Sequence, residues 1–582
     1  MMSKLTLFYY VIIALQVTSC AGLQSSKQEH VPPATLALAP PPVEEKAPAQ
    51  ETVGDPALYY NYLMAQISRS EGDIEGALAH YRAAAALDSD STMLMFDLAN
   101  LYVRAGQLDA SKQECVKIIK KDPNHFHARL LLAGINSALG SKEAAIEDYK
   151  TILQQNPDYE EVYIYLNALY SELQEYEKAQ ENMKEYAKRA PESPLPYYYM
   201  GKIAFQQQDY KKAQKYYSEA LKKDPSHESS LVELALLYEE QKNFKKAVEV
   251  YQTILSYYPQ HVGAQSHLGQ LYIQEGKLDY ALEHYKQLDE LVGNNNQVGL
   301  RMGLIFLEQK KYDDALKEFS LILRREPGDD RARYYSALAY EGKGEVRKCI
   351  AALEQITMES DMFTEARIHM GYLYEEQGDL DRAIEIIEAA LKDKPEDIVL
   401  YRFLASLLEK AERYEEGIAL LQQALEYDQD SEDILFLLGV LYEKAVRFED
   451  SIKTMERVLQ INPENADALN YIGYTYAEQG IKLDEAEQLV KKALELKPED
   501  GYIIDSLGWV YFKKGNYKKA VKYLEKAVQY ASGDAIIKEH LGDAYLKSNL
   551  SDKALKMYEQ ALAIEPDKHE LQKKIETLRG SE

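Results

Sequence analysis

Hydrophobic residues recur along most of this chain with the spacing of amphipathic helices. From Leu58 onwards, apolar side chains follow one another at intervals of three and four residues, as on one face of an α-helix. These segments come in pairs joined by short turns, and the pairs recur every 34 residues. The pattern predicts an all-α chain of helical hairpins between Leu58 and Lys568.

Fifteen repeats fill this stretch, fourteen of 34 residues and one of 35, whose extra residue falls near Lys482. The eighth position is Gly or Ala in fourteen repeats, the eleventh is Tyr in ten, the twentieth is Ala in eleven and the thirty-second is Pro in ten. Small residues at the eighth and twentieth positions let the two helices of a hairpin approach closely. The aromatic residue at the eleventh or twenty-fourth position fills the remaining volume, which explains much of the excess of 47 tyrosines over one tryptophan. Gly at the fifteenth position, as at Gly72 and Gly106, suits a left-handed turn between helices.

In these columns, for example at Gly201, Ala213, Pro225 and Tyr238, the chain resembles the tetratricopeptide repeat family over residues 58–568. The resemblance implies a right-handed superhelical solenoid of about 15 helix-turn-helix repeats, each packing on its immediate neighbours. Such a stack needs a polar end. Residues 569–582 are predicted to provide a capping helix and a short tail.

The amino terminus predicts a targeting signal. Leu5–Val17 is a mostly apolar run of 13 residues after Lys4. It is too short for a membrane span, which needs about 20 residues, and fits a secretory signal. The sequence Val17-Thr18-Ser19-Cys20 resembles the lipobox of bacterial lipoproteins, which implies a signal peptide at 1–19 and palmitate on Cys20. The alternative is an ordinary cleaved signal with an incidental cysteine.

The resemblance to bacterial lipoproteins also implies a cellular location. Ala21 stands where an Asp often retains Gram-negative lipoproteins at the inner membrane, so the resemblance implies an outer-membrane lipoprotein facing the periplasm. In a Gram-positive source it implies the cell membrane. Residues 20–57 then form a tether, since 24–57 contain seven prolines and few large apolar residues. In polyproline II geometry this tether reaches on the order of 100 Å.

Composition and motifs argue against several classes of function. The chain has 68 basic and 95 acidic residues and a net charge of −27, which does not suit nucleic-acid binding. Its three cysteines exclude a disulfide scaffold, and Cys115 and Cys349 fall in core columns as small hydrophobic residues. No catalytic motif is present, and the eleven histidines are scattered. We expect no enzyme activity, no metal site, no cofactor and no small-molecule substrate.

The ninth repeat departs most from the pattern. Ser336 occupies a position where the other repeats have Leu, Met or Ile, Cys349 replaces the column alanine, and Asp361 replaces the proline. These changes predict either a hinge or a locally looser core.

The resemblance also indicates where partners bind. In the family, positions two, five, nine, twelve and thirteen of each repeat line a concave groove on the first helices, and an aromatic groove suits a peptide segment. The predicted groove residues are Tyr59, Tyr62, Phe96, Tyr198, Lys202, Phe205, Tyr334, Tyr372, Arg402, Phe436, Tyr502, Trp509 and Phe512. Residues 364–500 carry a net charge of −17, which either steers a basic partner or only keeps the surface soluble.

These observations together predict a lipid-anchored scaffold or adaptor of the bacterial envelope that holds peptide segments of partner proteins for assembly or export. The alternative is a periplasmic, chaperone-like holder of unfolded clients. Many weakly bound, unrelated peptides would favour the holder, and one tightly bound partner would favour the scaffold.

Overall fold

The predicted all-α repeat solenoid is confirmed. The computed structural model describes residues 55–579 and contains 31 α-helices and no β-strand in that range. Helix α1 begins at Pro56, two residues before the predicted start of the repeats, with Asp55 as its amino-terminal cap. The predicted signal segment, Cys20 and almost all of the tether lie outside the described residues. Among the helices of 55–579, none combines the length and the apolar composition that a membrane span requires.

Each repeat contributes two helices, and the last helix follows the fifteenth repeat. The first helices are α1 (Pro56–Ser70), α3 (Thr92–Arg104), α5 (Phe126–Ala138), α7 (Glu160–Glu172), α9 (Leu195–Gln206), α11 (Glu228–Glu240), α13 (Val262–Gln274), α15 (Asn296–Glu308), α17 (Asp330–Gly342), α19 (Phe363–Glu376), α21 (Ile398–Lys410), α23 (Glu432–Lys444), α25 (Ala466–Gln479), α27 (Gly501–Lys513) and α29 (Ala535–Lys547). The second helices are α2 (Ile74–Leu87), α4 (Leu108–Lys121), α6 (Lys142–Gln155), α8 (Tyr176–Arg189), α10 (Tyr210–Lys223), α12 (Phe244–Tyr257), α14 (Leu278–Val292), α16 (Tyr312–Arg325), α18 (Val346–Glu354), α20 (Leu380–Asp393), α22 (Tyr414–Tyr427), α24 (Phe448–Ile461), α26 (Leu483–Leu496), α28 (Tyr517–Tyr530) and α30 (Ser551–Ile564).

The turn inside every hairpin has a residue in the left-handed backbone conformation at the fifteenth position of its repeat, and the turn of the thirteenth hairpin has a second one at Lys482. Glycine takes this position in eight repeats, as the sequence pattern predicts, and other residues adopt a positive φ there in seven. The non-glycine residues are Gln174, Gln208, Lys242, Lys310, Glu412, Val446 and Asn549. Because only glycine adopts this conformation without a steric cost, each of these seven residues stores some backbone strain.

The core lies where the two helices of a repeat meet. The side chains at the twenty-fourth position are buried throughout, among them Tyr217 and Tyr558. A Cβ atom added at Gly201 would lie 2.5 Å from the Tyr217 ring, and one added at Gly542 would lie 2.4 Å from the Tyr558 ring. These distances explain the small residue at the eighth position, since the aromatic ring of the second helix packs directly on that backbone.

Cys115 and Cys349 are both buried in the core, as the sequence predicts. Burial raises the pKa of each thiol to about 12. The chain ends in α31 (His569–Arg579), which packs Leu571 and Ile575 on α30. Lys574 of this helix also binds the Asp543 carboxylate at 2.8 Å. The predicted cap is therefore a helix with one apolar and one charged face.

The repeats form two compact bodies, residues 55–309 and residues 310–579. Within each body every helix packs against the next one along the chain. In the second body, the ninth repeat has a second helix of nine residues, against fourteen in the repeats that follow it. An irregular turn over 355–362 follows this short helix.

Candidate peptide-binding cleft

A cleft opens on the first helices of the last four repeats. It has a volume of about 430 Å³ and is formed by α23, α25, α27 and α29, all in the second body. Four aromatic and three acidic side chains dominate its lining, and they are Phe436, Tyr471, Tyr474, Tyr502, Asp467, Asp505 and Asp534. We call this surface the acidic–aromatic cleft.

The repeat geometry places these residues together. Asp467 and Tyr502 stand at the second position of consecutive repeats, and Phe436 and Asp505 stand at the fifth. Positions separated by three or four residues share one face of a helix, so the same positions in successive first helices align along one wall. Tyr502 is 60% exposed at this wall, and its ring is open to a ligand.

Hydrogen bonds fix the acidic groups at the cleft. Asp467 forms an ion pair with Lys497 at 2.8 Å, and Asp505 accepts a hydrogen bond from His540 Nδ1 at 3.0 Å. Asp534 caps α29 by accepting from the backbone N–H of Ile536 at 2.8 Å. Among the described residues that line the cleft there is no Lys or Arg, and Lys497, which pairs with Asp467, lies outside the lining. This charge favours a ligand with cationic groups.

Two of the three tyrosines at the cleft, Tyr471 and Tyr474, are half-buried, and Tyr471 is also held by its hydroxyl group. Tyr471 donates a hydrogen bond to Glu443 Oε2 at 2.6 Å, and its ring lies edge-on to Phe436 at 6.3 Å between centroids. Burial raises the pKa of Tyr471 and of Tyr474, so both phenols remain neutral hydrogen-bonding groups at physiological pH. The cleft therefore combines rigid aromatic surface with fixed polar groups, as peptide-binding surfaces do.

Trp509 lies behind the cleft rather than in it. Its indole stacks on the His540 ring at 3.9 Å between centroids and on Phe512 at 4.7 Å. The indole Nε1 donates to Glu478 Oε2 at 2.5 Å. The His540 ring of the next repeat covers the indole, so Trp509 does not line the cleft. Trp509 instead supports His540, which donates a hydrogen bond to Asp505.

Two other predicted groove residues are buried in the same way. Tyr198 packs edge-on against His227 at 5.5 Å between centroids, and Tyr334 packs against His369 at 6.0 Å. Tyr198, Tyr334 and Trp509 are each at most 6% exposed. For these three residues the prediction of a groove side chain open to a partner is wrong, because each is buried and packs against a histidine of the protein itself.

The structure places the remaining predicted residues on the surface or near it. Tyr59, Tyr372, Arg402 and Tyr502 are exposed, whereas Tyr62, Phe96, Lys202, Phe205, Phe436 and Phe512 are half-buried. Arg402 forms an ion pair with Asp433 at 2.8 Å, and Lys202 lies over the Tyr198 ring at 5.6 Å. Of all thirteen, Phe436 and Tyr502 line the acidic–aromatic cleft.

Sequence reasoning missed Tyr471 and Tyr474 as cleft residues. Tyr474 stands at the ninth position, one of the predicted groove columns, so its column alone could have identified it. Tyr471 and Ser506 stand at the sixth position, which was not among those columns. The sixth position reaches the cleft because it lies on the same helical face as the second and the ninth.

The fold and this cleft define a helical-repeat protein of the kind that supports protein–protein interaction. Sequence profiles described as tetratricopeptide repeat match residues 68–135, 126–159, 169–228, 204–260, 239–300, 300–356, 364–407, 408–470, 447–501 and 511–576. The chain belongs to the tetratricopeptide repeat family. Proteins of this family are generally non-catalytic scaffolds.

Individual relatives cover the chain unevenly. The tetratricopeptide repeat protein 21A of Mus musculus is 32% identical over 66 residues, which span 11% of this chain and 5% of the mouse protein. A tetratricopeptide repeat protein from Parabacteroides merdae covers 49% of this chain and 98% of its own, at 15% identity and a TM-score of 0.36. The APC/C hetero-tetramer Cut9–Hcn1 gives 90% and 96% coverage, 15% identity and a TM-score of 0.35. YrrB, described as having an unusual peptide-binding site, gives 32% and 95% coverage, 22% identity and a TM-score of 0.26.

Proposed function

We propose that this protein is a lipid-anchored, non-catalytic scaffold of the bacterial envelope that holds an extended segment of a partner protein in the acidic–aromatic cleft. The observation that carries the binding proposal is the cleft itself, with the exposed Tyr502 ring above fixed carboxylates and no basic residue in the lining. Its charge and shape favour a peptide that carries Lys or Arg beside apolar side chains. Holding such a segment for assembly or export requires only binding and no catalysis by this protein.

The proposed partner segment can be captured from the exposed tyrosine. A photoreactive phenylalanine at position 502 is expected to crosslink the partner, whereas the same residue at Tyr530 is not. Tyr530 belongs to the same repeat and is also exposed, but it lies at the end of α28 and does not line the cleft. Equal capture from both positions contradicts the proposal.

The captured segment then gives a quantitative test as a synthetic peptide. We expect Tyr502→Ala to weaken binding of this peptide about tenfold, a loss typical of an aromatic residue at an interface, and Tyr530→Ala to leave it unchanged. Affinity should also fall with added salt, because carboxylates attract the basic side chains. Unchanged affinity in Tyr502→Ala would overturn the cleft assignment. Weak binding of many unrelated peptides would favour the chaperone-like holder.

The envelope part of the proposal rests on the amino-terminal sequence. Cys20 follows a short apolar run and small residues, in the arrangement that resembles a lipobox. The proposed location is the outer membrane, with the protein facing the periplasm, or the cell membrane in a Gram-positive source. Labelled palmitate is expected to enter the wild-type chain and the Cys115→Ser control, but not Cys20→Ser. Labelling that survives Cys20→Ser would end the lipoprotein proposal and leave the cleft proposal intact.

A further inference from the structure

Three side chains that can bind a metal converge between the ninth and tenth repeats. Glu341 stands near the end of α17, Cys349 on α18 and His369 on α19. Each offers one ligand atom, and the three atoms lie within 4.8 Å of one another. All three residues belong to the second body.

The environment of these groups suits a bound cation. His369 Nε2 lies 2.8 Å from Glu341 Oε2, while His369 Nδ1 is buried without a hydrogen-bond partner among the described residues. Cys349 is completely buried, and the His369 side chain is 12% exposed. Because Nε2 already faces the Glu341 carboxylate, one cation could bind both of these atoms.

A comparison inside the chain isolates the contribution of the cysteine. Glu239 and His267 occupy the same columns three repeats earlier and also pair, at 2.9 Å between His267 Nδ1 and Glu239 Oε1. There the residue in the column of Cys349 is Ala247. The His–Glu pair thus recurs as an ordinary contact between repeats, and the thiol is what the ninth repeat adds. Packing does not require it, since the same buried position takes alanine in eleven repeats.

We propose that Glu341, Cys349 and His369 bind a Zn²⁺ ion. A sulfur, a nitrogen and a carboxylate oxygen form a donor set that suits zinc, with the fourth position of a tetrahedral ion left to water. The thiol releases its proton to solvent as the sulfur–zinc bond forms. The resulting thiolate and the carboxylate together neutralise the two charges of the ion, so the buried site carries no net charge.

The proposed ion joins three consecutive helices at the least regular point of the second body. The second helix of the ninth repeat has nine residues there, and the turn 355–362 follows in place of the usual proline-marked turn. A zinc ion bound across α17, α18 and α19 would stabilise this junction, because metal binding to the folded state opposes its opening. The three departures of the ninth repeat from the pattern then include one ligand, Cys349.

Cobalt provides the direct test, because Co²⁺ in a zinc site with a thiolate ligand produces a near-ultraviolet charge-transfer absorption band. One equivalent of Co²⁺ added to the purified full chain is expected to produce the band, and Zn²⁺ is expected to displace it. Cys349→Ala should remove the band. This variant should fold, because it introduces the alanine that most other repeats have at this position. His369→Asn should remove or strongly weaken it.

Matched controls keep the test specific to this site. Cys115→Ala, Cys20→Ser and His267→Asn should each retain the band at full intensity. Zinc should also slow hydrogen exchange across 346–369 in the wild type and not in Cys349→Ala. No band in the wild type at one equivalent, or a band that survives Cys349→Ala, would overturn the proposal.

Discussion

The His540 ring stacks on the Trp509 indole with 3.9 Å between centroids and 16° between planes. The two residues come from the first helices of consecutive repeats, α27 and α29. The same histidine donates to Asp505, which lines the cleft. His540 therefore covers the indole, joins two repeats and fixes a carboxylate of the proposed binding surface.

Replacing His540 tests this contact. We expect His540→Ala to shift the fluorescence of Trp509 to longer wavelengths, because water reaches the ring, and to cost about 1–3 kcal/mol of unfolding free energy. His540→Phe restores a stacking surface but not the hydrogen bond to Asp505. It should recover most of the emission shift and less of the stability. An unchanged spectrum in His540→Ala would show that another group covers the indole.

The close approach of glycine and tyrosine predicts a core substitution that the fold does not tolerate well. A Cβ atom at Gly542 would lie 2.4 Å from Tyr558, so Gly542→Ala is expected to destabilise the chain by about 1–3 kcal/mol through overpacking. Gly533→Ala is the matched control, since no atom lies within 4 Å of a Cβ added there. Urea denaturation of both variants checks the difference. Equal midpoints would contradict the packing argument.

The left-handed turns predict a stabilising substitution. Val446 has a φ of 61° and is 71% exposed, so a β-branched residue is held in a conformation that glycine adopts freely. We expect Val446→Gly to raise the unfolding free energy by about 1 kcal/mol, the relief of the left-handed strain less the entropy cost of glycine. Gly378→Ala, at the equivalent position, should have the opposite effect. Hydrogen exchange in the flanking helices and urea denaturation measure both changes.

Glu487 predicts a pH dependence of stability. Burial alone would raise the pKa of its carboxyl, but hydrogen bonds from Lys491, Lys514 and Tyr511 outweigh this effect and lower the pKa to about 2. Since the folded pKa lies below the ordinary value of 4.5, the stabilisation is complete above about pH 4.5 and is lost as the pH falls towards 2.

The matching experiment compares Glu487→Gln with the wild type by urea denaturation across this range. The variant should be less stable by about 1 kcal/mol at pH 7, after allowance for solvent screening, and the difference should vanish near pH 2. Glu485→Gln serves as the control, because Glu485 is an exposed residue with one lysine at 3.4 Å. A difference that persists at pH 2 would mean that the carboxylate charge is not its cause.

The helical repeats could be predicted from sequence because their signals are local. Turn glycines such as Gly72, core alanines such as Ala213 and buried tyrosines such as Tyr217 recur at fixed intervals, and each serves contacts within one repeat or with its neighbour. Seven turns adopt the left-handed conformation without glycine, so the turn does not depend on that residue type alone. The 34-residue period is still recognisable despite that variation, because many columns contribute to it.

The sequence by itself determined that this protein is a stack of helical hairpins with a capping helix, since hydrophobic spacing and small-residue columns act over short distances along the chain. Only the tertiary structure decided which residues on the first helices remain open. Tyr198, Tyr334 and Trp509 occupy predicted groove columns, yet each is buried and packs against a histidine, whereas Tyr502 stays exposed. The physical reason is that exposure of a side chain depends on what the neighbouring helix or turn places against it, and no column of a single repeat records that.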